Sequence, residues 1–174
     1  MKWIDLYKNN RPLLNSILTG LLYLLFCWSL DFGDATKSLF MILMLFLPGL
    51  TFPLTTCYNR NENNNYSTIK RAGHLVLSVA IYHGSVWLFS GEELIKYITV
   101  LAGILGSLFF LLMTKYLLKK NISFIQILLT SIASGPAFIQ YEFNGRQGLY
   151  MGIAVFLWTV INGLSLNFEY RKAT

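Results

Sequence analysis

The stretch that decides the fold is residues 12–30, PLLNSILTGLLYLLFCWSL, which contains no charged residue. A helix of roughly 20 apolar residues is long enough to cross the hydrocarbon core of a bilayer. The run is too long for the core of a signal peptide, and no small-x-small cleavage site accompanies it. We therefore expect a retained membrane span.

The rest of the chain has the same character. Of its 174 residues, 55% are hydrophobic and only 13% are charged, whereas soluble domains carry about 25% charged residues. The apolar runs predict spans at 12–30, 38–57, 72–90, 95–114, 122–141 and 149–167. The sequence thus predicts an all-α polytopic membrane protein, in which residues 1–174 form a single domain of six transmembrane helices. The lipid bilayer is its first expected partner.

The positive charges predict the orientation of these spans. Eleven of the 14 Lys and Arg residues fall on one side of the expected membrane, and only Lys37, Lys96 and Arg146 fall on the other. Basic residues collect in cytoplasmic loops. We therefore expect both termini in the cytoplasm and a multi-pass location in the inner (cytoplasmic) membrane. This distribution also explains the formal charge of +6 without a nucleic-acid partner.

The two histidines, His74 and His83, do not form a shared metal site. They are nine residues apart, which on a helix is about 13.5 Å of rise and two and a half turns, so they point in opposite directions. No metal or cofactor is therefore expected. His74 lies at the inner interface, where a polar residue costs little. His83 falls near the middle of its span, where an ionisable group indicates a functional site; the alternative is a neutral histidine that is hydrogen-bonded to a neighbouring helix.

Prolines interrupt two of the predicted spans. The second contains LFLPGLTFPLTT (45–56) and the fifth contains SIASGPAFIQ (131–140). Because proline removes a backbone donor, we expect helix breaks at Pro48, Pro53 and Pro136. Each interrupted span is the middle one of three, so a further hypothesis is that the bundle consists of two inverted three-helix halves. The alternative is ordinary proline kinking.

The leading functional hypothesis is binding or translocation of a small solute or ion. Interrupted helices line a midplane site in many transporters, because freed backbone groups need protein or water partners. We expect such a site between the second and fifth helices, with the third contributing. The predicted solute-binding residues are His83, Thr51, Thr55, Ser131, Ser134 and Asn162.

Two other functions fit the sequence. The first is a non-catalytic partner protein, such as an immunity or assembly factor, that acts by helix–helix contact. Small residues at four-residue spacing, such as Ala102 and Gly106, suit such contacts or a homo-oligomer. The second is an intramembrane hydrolase that pairs Ser134 with His83. No HExxH, CxxC or glycine-rich phosphate motif is present, so an enzyme is not expected.

Overall fold

The computed structural model describes residues 2–29, 48–58, 68–89, 96–139 and 147–173. These residues are helical apart from short connections, and none of them forms a strand, so the predicted all-α class is confirmed. The helices are α1 (Lys2–Ser29), α2 (48–56), α3 (Thr68–Phe89), α4 (Lys96–Leu117), α5 (Phe124–Ser134) and α6 (Gln147–Ala173). A 3-10 helix, Gly135–Phe138, directly follows α5.

Within the described part of the chain, three helices are long and apolar enough to cross a membrane: Tyr7–Ser29, Thr99–Leu117 and Gly148–Glu169. They correspond to the predicted first, fourth and sixth spans, and their length and composition are those of a membrane protein. The predicted fifth span appears as a shorter apolar helix, Phe124–Phe138. The first ten residues of the predicted second span, 38–47, lie outside the described residues.

Helices that follow one another in the chain run in opposite directions. Between α1 and α2, Asn15 lies beside Thr55 and Tyr23 lies beside Thr51, so residue numbers rise along one helix as they fall along the other. The same pattern holds between α3 and α4, where His74 lies beside Thr114 and Ser85 lies beside Gly106. It also holds between α4 and the segment of α5, where Gly103 lies beside Ser134 and Lys115 lies beside Ile122.

The first and last helices pack against each other through glycine. A Cβ atom added at Gly20 would lie 2.5 Å from the hydroxyl of Thr159, and one at Gly152 would lie 3.0 Å from the Cβ of Cys27. A Cβ at Gly163 would overlap the side chain of Ser16. Small residues let helix backbones approach closely where no water is available to drive association. These glycines therefore set the distance between α1 and α6.

Aromatic side chains fill the space between α2, α4 and α6. The ring of Phe52 lies 5.2 Å from that of Phe110 and 5.5 Å from that of Trp158, and the last two rings are 5.8 Å apart. All three rings are tilted with respect to one another, which is the geometry that aromatic quadrupoles favour. This aromatic cluster occupies the region where α2 faces the centre of the bundle.

The prolines behave differently in α2 and α5. The α-helix of α5 ends at Ser134, and Pro136 lies in the 3-10 helix that follows. By contrast, residues 48–56 stay helical through Pro53, and the Cys57 amide still donates to the Pro53 carbonyl at 2.9 Å. The expected interruption at Pro53 is thus wrong, because proline keeps a helical φ and removes only its own donor. Pro48 is the first described residue of α2, so what precedes it lies outside the described residues.

The backbone of α1 bends at Asn10, which has non-helical torsion angles of φ −128° and ψ 23°. Pro12 follows in the first turn after the bend, where its missing N–H is not needed for the helical ladder. The bend lies near the start of the membrane-length segment Tyr7–Ser29, beside Arg11.

Candidate functional site

The predicted midplane residue on α3 faces outward. The side chain of His83 is exposed, whereas Tyr82, the residue before it, is buried. The expectation that His83 faces other helices or a water-filled cavity stays a prediction. The inward face of α3 is formed by residues at helical spacing from one another: His74, Ser78, Tyr82 and Ser85. One residue is a 100° rotation on a helix, so His83 lies off this face.

The predicted site residues of α2 contact α1 instead. The hydroxyl of Thr51 lies 3.3 Å from that of Tyr23, and the hydroxyl of Thr55 lies 3.2 Å from that of Thr19. Thr55 also donates to the Thr51 carbonyl at 2.9 Å. These hydrogen bonds connect two helices, which is the usual structural role of threonine in membrane bundles.

The predicted serines of α5 bond to their own helix. Ser131 donates to the Ile127 carbonyl and Ser134 donates to the Thr130 carbonyl, each at 2.8 Å. Ser134 is fully buried where its backbone contacts Gly103 of α4. This position separates it from the exposed face on which His83 lies.

Asn162 is the predicted residue with an unused polar atom. It is fully buried, and its Nδ2 donates to the Ser107 hydroxyl at 2.8 Å and to the Trp158 carbonyl at 2.9 Å. Its Oδ1 has no partner among the described residues. Asn162 thus connects α6 to α4. The six predicted solute-binding residues therefore contact different neighbours, and a shared site for them stays a prediction.

A small cavity lies beside the 3-10 helix that contains Pro136. Its walls are formed by Tyr82 and Ser85 of α3, Phe138 of the 3-10 helix, and Val155 and Trp158 of α6. These side chains are mainly apolar and aromatic. Such a wall offers little to orient a charged solute.

His74, which sequence reasoning placed at the membrane interface, is instead fully buried. Its Nδ1 lies 2.9 Å from the Tyr58 hydroxyl and its Nε2 lies 3.0 Å from the Thr114 hydroxyl. The rings of Tyr58 and His74 meet edge to face with centroids 5.7 Å apart. The side chain of His74 points inward from α3 and lies between α2 and α4.

A second group of polar residues surrounds a cavity at the ends of several helices, which we call the inner-end cavity. Its walls come from the start of α1, the end of α2, the α4–α5 connection and the end of α6, and all of these were predicted on the cytoplasmic side. The lining residues are Arg11, Pro12, Thr56, Cys57, Tyr58, Lys120, Leu166 and Glu169. Two are cationic and one is acidic, so the lining carries one net positive charge.

The charges of the inner-end cavity are largely shielded from solvent. Lys120 Nζ lies 4.0 Å from Glu169 Oε2, and the two side chains are 9% and 11% exposed. The other oxygen of Glu169 accepts a hydrogen bond from the Asn121 amide at 3.1 Å. Sequence reasoning used Arg11 and Lys120 only to orient the chain, and it did not single out Glu169. Only the fold brings them together.

The described residues contain no group of three or more histidine, cysteine or acidic side chains placed to hold a metal ion. Cys27 and Cys57 are both buried free thiols. No family model, curated protein or solved structure matches the chain. A functional hypothesis therefore has to come from the chemistry of the residues themselves.

Proposed function

We propose that this chain is a six-span inner-membrane protein, with both termini in the cytoplasm, that binds a small anionic solute in the inner-end cavity. The observation that carries the proposal is the cavity wall, where Arg11 joins Lys120 and Glu169, the last two being 9% and 11% exposed. Binding from the cytoplasmic side is a step that a transporter and a solute receptor have in common.

The charge of the cavity supports an anion as the ligand. Burial of charged groups is costly unless they are paired and hydrogen-bonded. Lys120 lies 4.0 Å from Glu169, and the lining keeps one net positive charge when this pair is counted. An incoming carboxylate or phosphate would balance that charge, and the guanidinium of Arg11 is a planar group of the kind that binds such anions.

The packing favours this location over the predicted midplane site. Between α2 and its neighbours, Phe52, Phe110 and Trp158 contact one another directly. A polar solute there would have to displace aromatic side chains, whereas at the inner-end cavity it would meet charged and hydroxyl groups. The proposal therefore keeps a small solute as the ligand and moves its site to the cytoplasmic ends of the helices.

The test is ligand-dependent stability of the purified protein in lipid nanodiscs. A ligand that binds only the folded state raises the thermal unfolding midpoint. Sodium acetate, sodium benzoate and sodium phosphate would each be compared with sodium chloride at equal ionic strength. We expect at least one of these anions to raise the midpoint, and Lys120→Gln to abolish that rise.

The adjacent lysine provides the matched control. Lys119 is exposed, does not line the cavity, and has a positive φ of 48° that asparagine tolerates. Lys119→Asn removes the same charge one residue away and should leave the anion effect unchanged. An equal loss in both variants, or no stabilisation by any of the three anions, would refute the proposed function.

One observation favours the partner-protein hypothesis as a second candidate. His83 and Gly84 are exposed on α3, and a Cβ atom at Gly84 or Gly73 would meet nothing within 4 Å. Small residues allow a helix to approach closely, so this open side of α3 suits contact with a helix of a partner protein. A photo-crosslinker at position 84 should then give a discrete protein adduct in native membranes, and one at exposed Leu129 of α5 should give none. Equal labelling at both positions would rule out this candidate.

A further inference from the structure

We propose that His74 is a proton-binding site that exchanges protons with the inner-end cavity through the hydroxyl of Tyr58. The proposal does not depend on the identity or existence of an anionic solute, because it rests on the hydrogen bonds around the imidazole ring. Those bonds have a direction, and the direction can be assigned from the number of hydrogens available.

The assignment begins at Thr114. Its hydroxyl donates to the Phe110 carbonyl at 2.8 Å, and a hydroxyl has only one hydrogen to give. Toward His74 Nε2, which lies 3.0 Å away, the Thr114 oxygen must therefore accept. We assign the hydrogen of the neutral ring to Nε2 on this basis.

The other ring nitrogen is then an acceptor. With its hydrogen on Nε2, neutral His74 presents a lone pair at Nδ1. The Tyr58 hydroxyl has two acceptors within reach, Nδ1 at 2.9 Å and the Arg71 carbonyl at 3.3 Å, and we assign its single hydrogen to the closer one, Nδ1. The hydrogen bonds thus point in one direction, from Tyr58 through His74 and Thr114 to the Phe110 carbonyl, and both ring nitrogens are satisfied.

The same site also accommodates the protonated ring. When Nδ1 gains a hydrogen, it needs an acceptor, and the Tyr58 oxygen can serve if its own hydrogen turns elsewhere. The Arg71 carbonyl lies 3.3 Å from that hydroxyl and provides the alternative acceptor. Rotation of one hydroxyl therefore satisfies both protonation states without a helix or ring moving.

Tyr58 also provides the connection to the cytoplasm. It lines the inner-end cavity as well as contacting His74. A hydronium ion in the cavity can give a proton to the Tyr58 oxygen while the Tyr58 hydrogen passes to Nδ1. The hydronium becomes water, Tyr58 stays neutral, and His74 becomes the cation. The reverse sequence returns the proton to the cavity.

Few charged groups among the described residues surround the ring. The neighbouring α2 contributes the phenol of Tyr58 and the thiol of Cys57, which lies beside Thr114, and α3 contributes Arg71. The described contacts from α4 are Thr114 and Phe110, neither of which titrates. Arg11, Lys120 and Glu169 are the charged residues of the inner-end cavity, which Tyr58 also lines.

The chain offers a direct measurement because it contains only two histidines. In a His83→Asn protein, His74 is the only imidazole, and ¹⁵N-histidine labelling lets solid-state NMR in lipid report each ring nitrogen. We expect only the Nε2–H tautomer at mildly alkaline pH and reversible conversion to the cation on acidification of the folded protein. A His74→Asn protein, which retains His83, identifies the signals of the other ring.

Tyr58→Phe separates proton exchange from a purely structural role. It keeps the ring that packs against His74 but removes the oxygen that must accept from the new Nδ1–H. We expect the neutral tautomer to persist, while formation of the cation requires a pH at least one unit lower. Tyr116→Phe, at an exposed position on α4, should behave as the parent does.

Three results would overturn the proposal. They are an Nδ1–H tautomer in the neutral state, no cation before the protein unfolds, and identical acidification curves for Tyr58→Phe and the parent. Because the readout is the ring itself, failure of the three anions to bind would refute the proposed function and leave this inference intact.

Discussion

The two histidines of α3 have the same side chain on the same helix, yet their surroundings are opposite. His74 is fully buried and lies within hydrogen-bond distance of Tyr58 and Thr114, whereas His83 is exposed. Hydropathy gives the depth of a residue along a span, but the direction in which it points depends on the neighbouring helices. His74 and His83 therefore show that depth alone is a poor guide to which ionisable residue matters.

The largest expected effect is the loss of stability when the buried histidine is replaced. His74→Leu removes both hydrogen bonds of the ring, and a hydrogen bond contributes about 0.5–1.5 kcal/mol. We expect His74→Leu to lower the free energy of unfolding in mixed micelles by ~3 kcal/mol. His83→Leu should change it by less than about 0.5 kcal/mol, as is usual for exposed positions. Equal losses in the two variants would remove the contrast between the histidines.

A smaller effect is expected when alanine replaces a glycine at or beside α3. Gly49 of α2 packs against α3, whereas Gly84 lies on the exposed side of α3. A Cβ at Gly49 would lie 2.7 Å from the Cα of Val79, whereas one at Gly84 would meet nothing within 4 Å. We expect Gly49→Ala to destabilise the protein by ~2 kcal/mol, because the helices must separate to admit the methyl group. Gly84→Ala should be neutral or stabilising by up to about 1 kcal/mol, since alanine favours helix. Unfolding of both variants in the same micelles makes the comparison, and a destabilising Gly84→Ala would show that the outer side of α3 is also closely packed.

The smallest effect concerns the hydrogen bond itself. Tyr58→Phe retains the edge-to-face ring contact and removes one hydroxyl, so we expect a loss of ~1 kcal/mol in the free energy of unfolding. Tyr116→Phe serves as the control on an exposed surface. If the two substitutions cost the same, Tyr58 contributes through its ring alone, and His74 has one fewer functional neighbour than proposed.

The sequence predicted the class of fold well because hydrophobic length is a local property. The runs around Tyr7–Ser29, Thr99–Leu117 and Gly148–Glu169 identify long apolar helices whatever surrounds them. The change from α-helix to 3-10 helix next to Pro136 agrees with the sequence, because proline has no backbone N–H to donate to the preceding turn. Pro53 shows the limit of that reasoning, since the helix continues through it.

The candidate sites were much less predictable, because their residues come from distant segments. Arg11 and Glu169 are separated by most of the chain, and neither stands out in its local context. The spacing of His74, Ser78, Tyr82 and Ser85 on α3 was the available signal, because a polar stripe at helical periodicity marks an inward face of a membrane helix. The mid-span position of His83 is a different signal, and it points to a residue outside this polar stripe.

The packing of α1 against α6 has a consequence for how the protein is made. The amide of Asn167 lies 3.3 Å from the side chain of Asn10, and Gly163 lies against Ser16, so α1 completes its surface with α6, which is synthesised after the other described helices. At ribosomal speeds of about 5–20 residues per second, α1 must wait on the order of ten seconds in the membrane before that partner arrives. During this interval the side of α1 that will contact α6, which includes Ser16 and Gly20, is open to membrane quality-control proteases. A premature stop codon before α6 should therefore yield a product that is degraded rather than a smaller stable bundle.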